Sequence, residues 1–146
     1  MPRFRKSRTI TPPSWSASDT GPRVLIESCD FVKRDVLTQV LHRNGYSVRT
    51  CGGPEAMDAK CALVDRGECE GADGADVIVH SMRHSDERNR EVLHELRAQH
   101  PDTPIVVEVP RPVVDQYPDD FERCRVVPQP MTSNALLEAL DEVLAG

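Results

Sequence analysis

Five thiols, two closely spaced histidines and a few polar residues at the ends of apolar runs are the groups in this sequence that could do chemistry. Cys29, Cys51, Cys61, Cys69 and Cys124 are an odd number, and as thiolates they would bind a metal or exchange disulfides. Structural zinc sites draw on cysteines two to four residues apart, whereas Cys51-x9-Cys61-x7-Cys69 holds no such pair. The ordinary reading is small apolar side chains and loop thiols; a metal or redox site at Cys51, Cys61 and Cys69, or a loop disulfide, is the alternative. Cys124 reads as core. His80 and His84 are spaced i, i+4 but straddle a strand end, so the spacing does not make them joint ligands. His42, His94 and His100 read as helix-surface residues. The first apolar run continues Glu27-Ser28-Cys29-Asp30-Phe31, without a glycine-rich phosphate loop, and no nucleophile has a base beside it. No catalytic residue is assigned.

The elements that position these groups alternate regularly. Val24-Leu25-Ile26 suits a strand buried on both faces, and Asp30 can cap a helix carrying Val32, Val36, Leu37, Val40 and Leu41, closed by Gly45. Residues 46–51 alternate as a second strand until Gly52-Gly53-Pro54 stops them. A short helix over 55–64 and a long irregular loop follow. Residues 76–81 form a third strand and 86–100 a helix with Val92, Leu93 and Leu96 on one face. Residues 105–109 make a fourth strand, in which Glu108 is odd for a buried position and suggests an exposed end. Prolines 110, 112 and 118 leave only a short or bent helix over 110–123. Residues 124–127 give a fifth strand, and Thr132 or Ser133 caps a last helix with Leu136, Leu137, Leu140, Val143 and Leu144 on its buried stripe.

Strands and helices in this order make an α/β fold, a doubly wound five-stranded parallel sheet, (βα)5. With strand order 2-1-3-4-5, ligands bind beyond the carboxyl ends of the strands, where the order reverses. The 146 residues suffice for one domain, and 38% apolar with 29% charged residues is an ordinary soluble balance with no membrane-length run. Within residues 1–22, Arg3, Arg5, Lys6 and Arg8 face Asp19 alone, so this stretch carries +3 and the remainder −9 of the formal −6. It reads as a disordered basic tail before a domain over 23–146, and its Trp15 as incidental. The tail does not read as a secretory signal, so a cytoplasmic location is expected. The acidic body makes nucleic acid an unexpected partner.

Over residues 23–146 the chain resembles the receiver domains of two-component response regulators, a flavodoxin-like fold. The resemblance lies in Arg23-Val24-Leu25-Ile26, Gly45-Tyr46-Ser47-Val48, Ala75-Asp76-Val77-Ile78-Val79, Pro104-Ile105-Val106-Val107, and Pro130 followed by Leu136-Leu137. It implies a carboxyl-edge site where an aspartate accepts a phosphoryl group, two acidic residues hold Mg²⁺, a Thr or Ser senses the phosphate and a Lys pairs with it. Here the acidic pair falls on Ser28 and Cys29, with Asp30 one position late. The acceptor falls on Ser81, or on His80 if the register slips; the switch position falls on Val109 and the lysine on Gln129.

A lone carboxylate does not assemble an octahedral Mg²⁺ site. The expectation is a degenerate pseudo-receiver without cofactor, acting through a protein partner and independent of phosphorylation. The resemblance also implies pairing of two copies through the fourth and fifth elements. The family's compact link between second and third strands is replaced by an insertion at about 52–75 that carries Cys61 and Cys69. If it folds back over the carboxyl edge, it would bring both towards Cys29 and Cys51, as the metal or redox sensor alternative requires.

Overall fold

The computed structural model describes residues 8–146. Strands β2 (Arg23–Ser28), β3 (Ser47–Cys51), β5 (Val77–Ser81), β6 (Ile105–Val109) and β7 (Arg125–Pro128) form one parallel sheet, ordered β3-β2-β5-β6-β7. Numbered among themselves these five strands run 2-1-3-4-5, as the sequence pattern requires. A separate two-stranded parallel pair joins β1 (Thr9–Ile10) to β4 (Lys60–Cys61).

Strand alternation divides the core. One face presents Val24, Ile26, Val48, Val77, Val79 and Val106 to helices α1 (Phe31–Arg43) and α7 (Ser133–Ala145). The other presents Leu25, Ile78, Ile105 and Val107 to α5 (Glu87–Gln99) and to the insertion. Side-chain oxygens of Asp30, Asp86 and Thr132 accept backbone N–H groups at the first turns of α1, α5 and α7, which fixes where each helix starts.

The insertion is more broken than one helix and a loop. It comprises α2 (Gly53–Met57), β4, α3 (Ala62–Arg66) and α4 (Glu70–Asp73). Asp58 at φ 45° ends α2 and Gly67 at φ 71° ends α3, so the segment turns sharply twice. Leu63, Cys69 and Ala72 pack beneath Leu25 and Ile78. The later part of the insertion therefore lies on one sheet face, where its apolar residues find partners, while α2 sits at the carboxyl edge, where Glu55 accepts from Arg83 and Asn89 beyond β5.

Residues 8–22 also differ from the expected disordered tail; Arg3, Arg5 and Lys6 lie outside the described residues. This strap runs from β1, beside the insertion, along edge strand β3. Trp15 donates its indole N–H to the Gly71 carbonyl at 2.8 Å, and Arg49 and Arg23 stack over its ring at 4.9 and 5.7 Å. Arg49 also bonds Asp19 at 2.8 Å and the Ser14 carbonyl at 3.1 Å. A Cβ on Gly71 would fall 2.3 Å from Pro12, and one on Gly74 2.4 Å from Trp15, so the strap docks only because both positions are glycine. Composition alone missed this anchoring, since one ring and two glycine gaps supply it.

The bent region after β6 consists of α6 (Arg111–Gln116), which buries no residue, and a 3-10 turn, Pro118–Phe121, which buries Phe121.

Candidate functional site

Two neighbouring rows of side chains cross the carboxyl edge and point to opposite faces. In the first, the ladders set Cys51 beside Glu27, Glu27 beside His80 and His80 beside Val107. In the second, Ser28 lies beside Ser81, and Ser81 reaches Glu108.

The second row opens into a cavity of about 440 Å³ lined by Ser28, Cys29, Asp30, Ser81 and Gln129 among others. Five of the six residues assigned to a degenerate site thus meet where the sequence places them. Val109 does not: it is buried in the opposite core face, and Glu108 fills the cavity wall instead. The reason is parity, because a shift of one residue on a strand exchanges faces. His80, the alternative acceptor, is excluded from this cavity by the same rule.

Glu108 is 4% exposed, so its strand end is not open to solvent as its charge suggests from sequence. Its Oε1 accepts from the Ser81 hydroxyl at 2.6 Å and from the Lys33 ammonium, and its Oε2 accepts from the backbone N–H of Met131 at 2.6 Å. Burial would raise this carboxyl, but the bonds from Lys33, Ser81 and Met131 together outweigh it and hold Glu108 below the ordinary carboxylate range. The cavity's other carboxylate, Asp30, accepts the Lys33 backbone N–H at 3.1 Å as the cap of α1. Arg34 donates to the Ser28 carbonyl. Sequence reasoning missed Lys33, whose distance from Glu108 along the chain hides their pairing; the signal was Glu108 itself, a charge inside an apolar strand.

The first row is polar. His80 Nδ1–H donates to Glu27 Oε1 at 3.0 Å, both side chains being buried, while its Nε2 has no partner among the described residues. Cys51 lies in this row, and burial followed by the Glu27 charge pushes its thiol up to about 12. Burial also pushes up Cys61 and Cys69. Cys29 is on the cavity side, so four thiols do not converge, and all five are free. Among the described residues no three His, Cys, Asp or Glu side chains gather as a metal site.

A third polar group pins the bent region after β6. His84 Nε2–H donates to Asp120 Oδ2 and His94 Nε2–H to Asp120 Oδ1, each at 2.8 Å. The His84 ring is enclosed by Tyr117 and Phe121, with centroids at 4.8 and 4.7 Å. Burial lowers the pKa of His84 despite the Asp120 carboxylate. His94 is exposed as expected, but it is a clamp on Asp120 and not a bystander; His42 is exposed, and His100 caps the end of α5.

No protein-family model and no curated protein matches the chain. Solved structures do. The chemotaxis protein CheY4 of Vibrio cholerae is similar with a TM-score of 0.61 at 23% identity, over 84% of this chain and 98% of that one. A response regulator receiver domain protein from Clostridium thermocellum gives 0.65 at 14% identity, over 86% and 95%. A CheY-like receiver domain protein from Methanospirillum hungatei gives 0.63 at 17% identity, over 85% and 94%. At these identities the likeness is one of fold, and the class it defines is the receiver fold. No helix of the described residues is long and apolar enough to cross a membrane.

Proposed function

We propose that the chain is a receiver-type signalling module of the pseudo-receiver kind, which acts by contact with a protein partner and independently of phosphorylation. The observation that carries this reading is Glu108. A fixed carboxylate already lines the carboxyl-edge cavity beside the Ser81 hydroxyl, neutralised by Lys33 and bonded to Ser81 and Met131. A phosphoryl group on the Ser81 hydroxyl would meet this negative charge at hydrogen-bond distance, and like charges so close, away from water, repel strongly. The two carboxylates of the cavity are engaged, one as a helix cap and one with Lys33, so a hard divalent cation finds no pair of free oxygen ligands.

The metal or redox sensor has less support. A thiol raised by burial stays protonated near neutral pH, and the thiolate is the form that binds metals or attacks disulfides. The test is incubation with acetyl phosphate and Mg²⁺ followed by intact-mass measurement. No adduct is expected; a stoichiometric phosphate adduct overturns the reading.

A further inference from the structure

A second cavity, of about 300 Å³, lies at the opposite, amino edge of the sheet, where α5 ends and β6 and β7 begin. His94, Arg97 and His100 line it from α5 and its cap, Thr103 from the turn that follows, and Arg123 and Cys124 from the turn before β7. Its volume falls at the lower end of the range of small-molecule sites.

Arg123 stands in this wall on a backbone that does not favour it. Glu122 at φ −57°, ψ 135° and Arg123 at φ 62° form a turn closed by the Cys124 N–H, which donates to the Phe121 carbonyl at 3.1 Å. The third position of such a turn ordinarily takes glycine or asparagine. Asp58 and Arg123 are the two non-glycine residues at positive φ among the described residues. A short polar side chain such as that of Asp58 tolerates this region, whereas arginine gains nothing locally from it. The Arg123 guanidinium meets no carboxylate among the described residues and is left to the cavity.

Arg97 brings a second guanidinium that is already held in position. Its Nη1 donates to the carbonyls of Asp119 and Asp120 at 2.9 and 2.8 Å, while its other nitrogens have no acceptor among the described residues. Burial raises the Cys124 thiol and the Arg97 charge lowers it, which sets Arg97 close to that wall of the cavity. The nearby carboxylates are largely engaged elsewhere. Both oxygens of Asp120 accept from His84 and His94, and Asp73 lies 3.3 Å from His100. Glu122 is the one carboxylate in the lining, and it is exposed to water. Two guanidinium groups without a carboxylate partner thus share one cavity on a body whose formal charge is −6.

We propose that this amino-edge cavity is a binding site for a small oxyanion, a phosphate or carboxylate group held between Arg97 and Arg123. The planar guanidinium fork matches both kinds of oxyanion. The bound group would tie the end of α5 to the turn before β7. The site is separate from the carboxyl-edge cavity, and the proposal stands whether or not the chain acts as a contact module.

The probes are sodium pyrophosphate and sodium succinate, each titrated into the isotopically labelled full chain against sodium chloride of equal ionic strength, with amide shifts and thermal melts followed. Saturable shifts at 97–103 and 122–124 are expected, with half-saturation at or below about 1 mM and a rise in melting temperature. Pyrophosphate binding alone assigns a phosphate ligand, succinate binding alone a carboxylate ligand, and binding of both supports a site that accepts either. Arg123→Gly should weaken binding about tenfold or more, yet without ligand it should melt no lower than the parent chain, because glycine suits the turn. Glu122→Gln should tighten binding, and Arg111→Gln on α6 should leave it unchanged. Shifts no larger than those of sodium chloride, shifts centred on 28–33 or 81–85, or undiminished binding in Arg123→Gly overturn the proposal. So does an unliganded Arg123→Gly that melts below the parent chain, because the arginine then serves the fold.

Discussion

The Ser81 hydroxyl on β5 donates to the Glu108 carboxylate on β6 across 2.6 Å, and Lys33 from α1 closes on the same oxygen. Two strands and a helix are thereby joined at the carboxyl edge of the sheet. The joint is part of the fold.

Its two ends are unequal. The Lys33 side chain is 23% exposed and can turn to water, whereas that of Glu108 is 2% exposed and cannot. Lys33→Met should cost about 1–3 kcal/mol, and Glu108→Gln less, because removing the lysine strands a buried charge. Urea melts at neutral pH measure both; an equal or reversed order would show that the pair is not held as described.

Acid should act on the same joint. Glu108 is held below its ordinary value of 4.5, so its contribution is complete above that value and is lost as pH falls through the lower folded value. Glu108→Gln should flatten the acid limb of the stability profile. A limb as steep as that of the parent chain would assign it to other carboxylates.

His84 predicts a separate, milder dependence. Its pKa is lowered by burial, so the unfolded chain takes up the proton first, and stability is full above about 6.5 and declines as pH falls from there. His84→Gln, whose amide nitrogen reaches about as far as the ring Nε2 and can still donate to Asp120, should remove that slope between about pH 7 and 5. Thermal melts across this interval decide it: the idea fails if the slope survives the substitution.

Trp15 is the chain's one tryptophan and so reports on the strap directly. Gly74→Ala places a methyl group 2.4 Å from the ring position seen here, and the emission should shift red as the indole leaves Gly71 for water. Gly45→Ala, with nothing within 4 Å of the added carbon, is the spatial control, although its φ of 86° carries strain of its own. An emission maximum identical to that of the parent would mean that the strap does not dock as described.

The thiols should separate in alkylation with iodoacetamide. Cys29 is exposed at the cavity mouth and should react first; Cys51, raised to about 12, should react last. Peptide mapping over time reads the order, and fast labelling of Cys51 would place it outside the buried row.

The fold was legible because each strand and helix carries its own period: Val24-Leu25-Ile26 and Val77-Ile78-Val79 announce buried strands, and Asp30, Asp86 and Thr132 announce helix starts. That Ser28, Cys29, Asp30, Ser81 and Gln129 line one cavity was legible because parallel strands end at one edge. What escaped depends on information that period does not carry. Val109 and Glu108 are exchanged by a single residue of parity, and apolar runs do not reveal which member faces the cavity. The Lys33–Glu108 and His84–Asp120 contacts join residues far apart in sequence. The strap was hidden because a polar, proline-containing segment can be held by one ring in a gap left by two glycines.

The pairing of Thr9 and Ile10 with Lys60 and Cys61 changes what counts as a usable piece of this protein. A fragment starting at Arg23 has every strand of the main sheet, yet it lacks Pro12 and Trp15, which close over Gly71 and Gly74, and the strand partner of β4. On a ribosome, the first of these residues must wait until the insertion has emerged before they can settle. A fusion joined close to Thr9 would load the seam between strap and insertion, whereas the last helix offers an attachment point away from it.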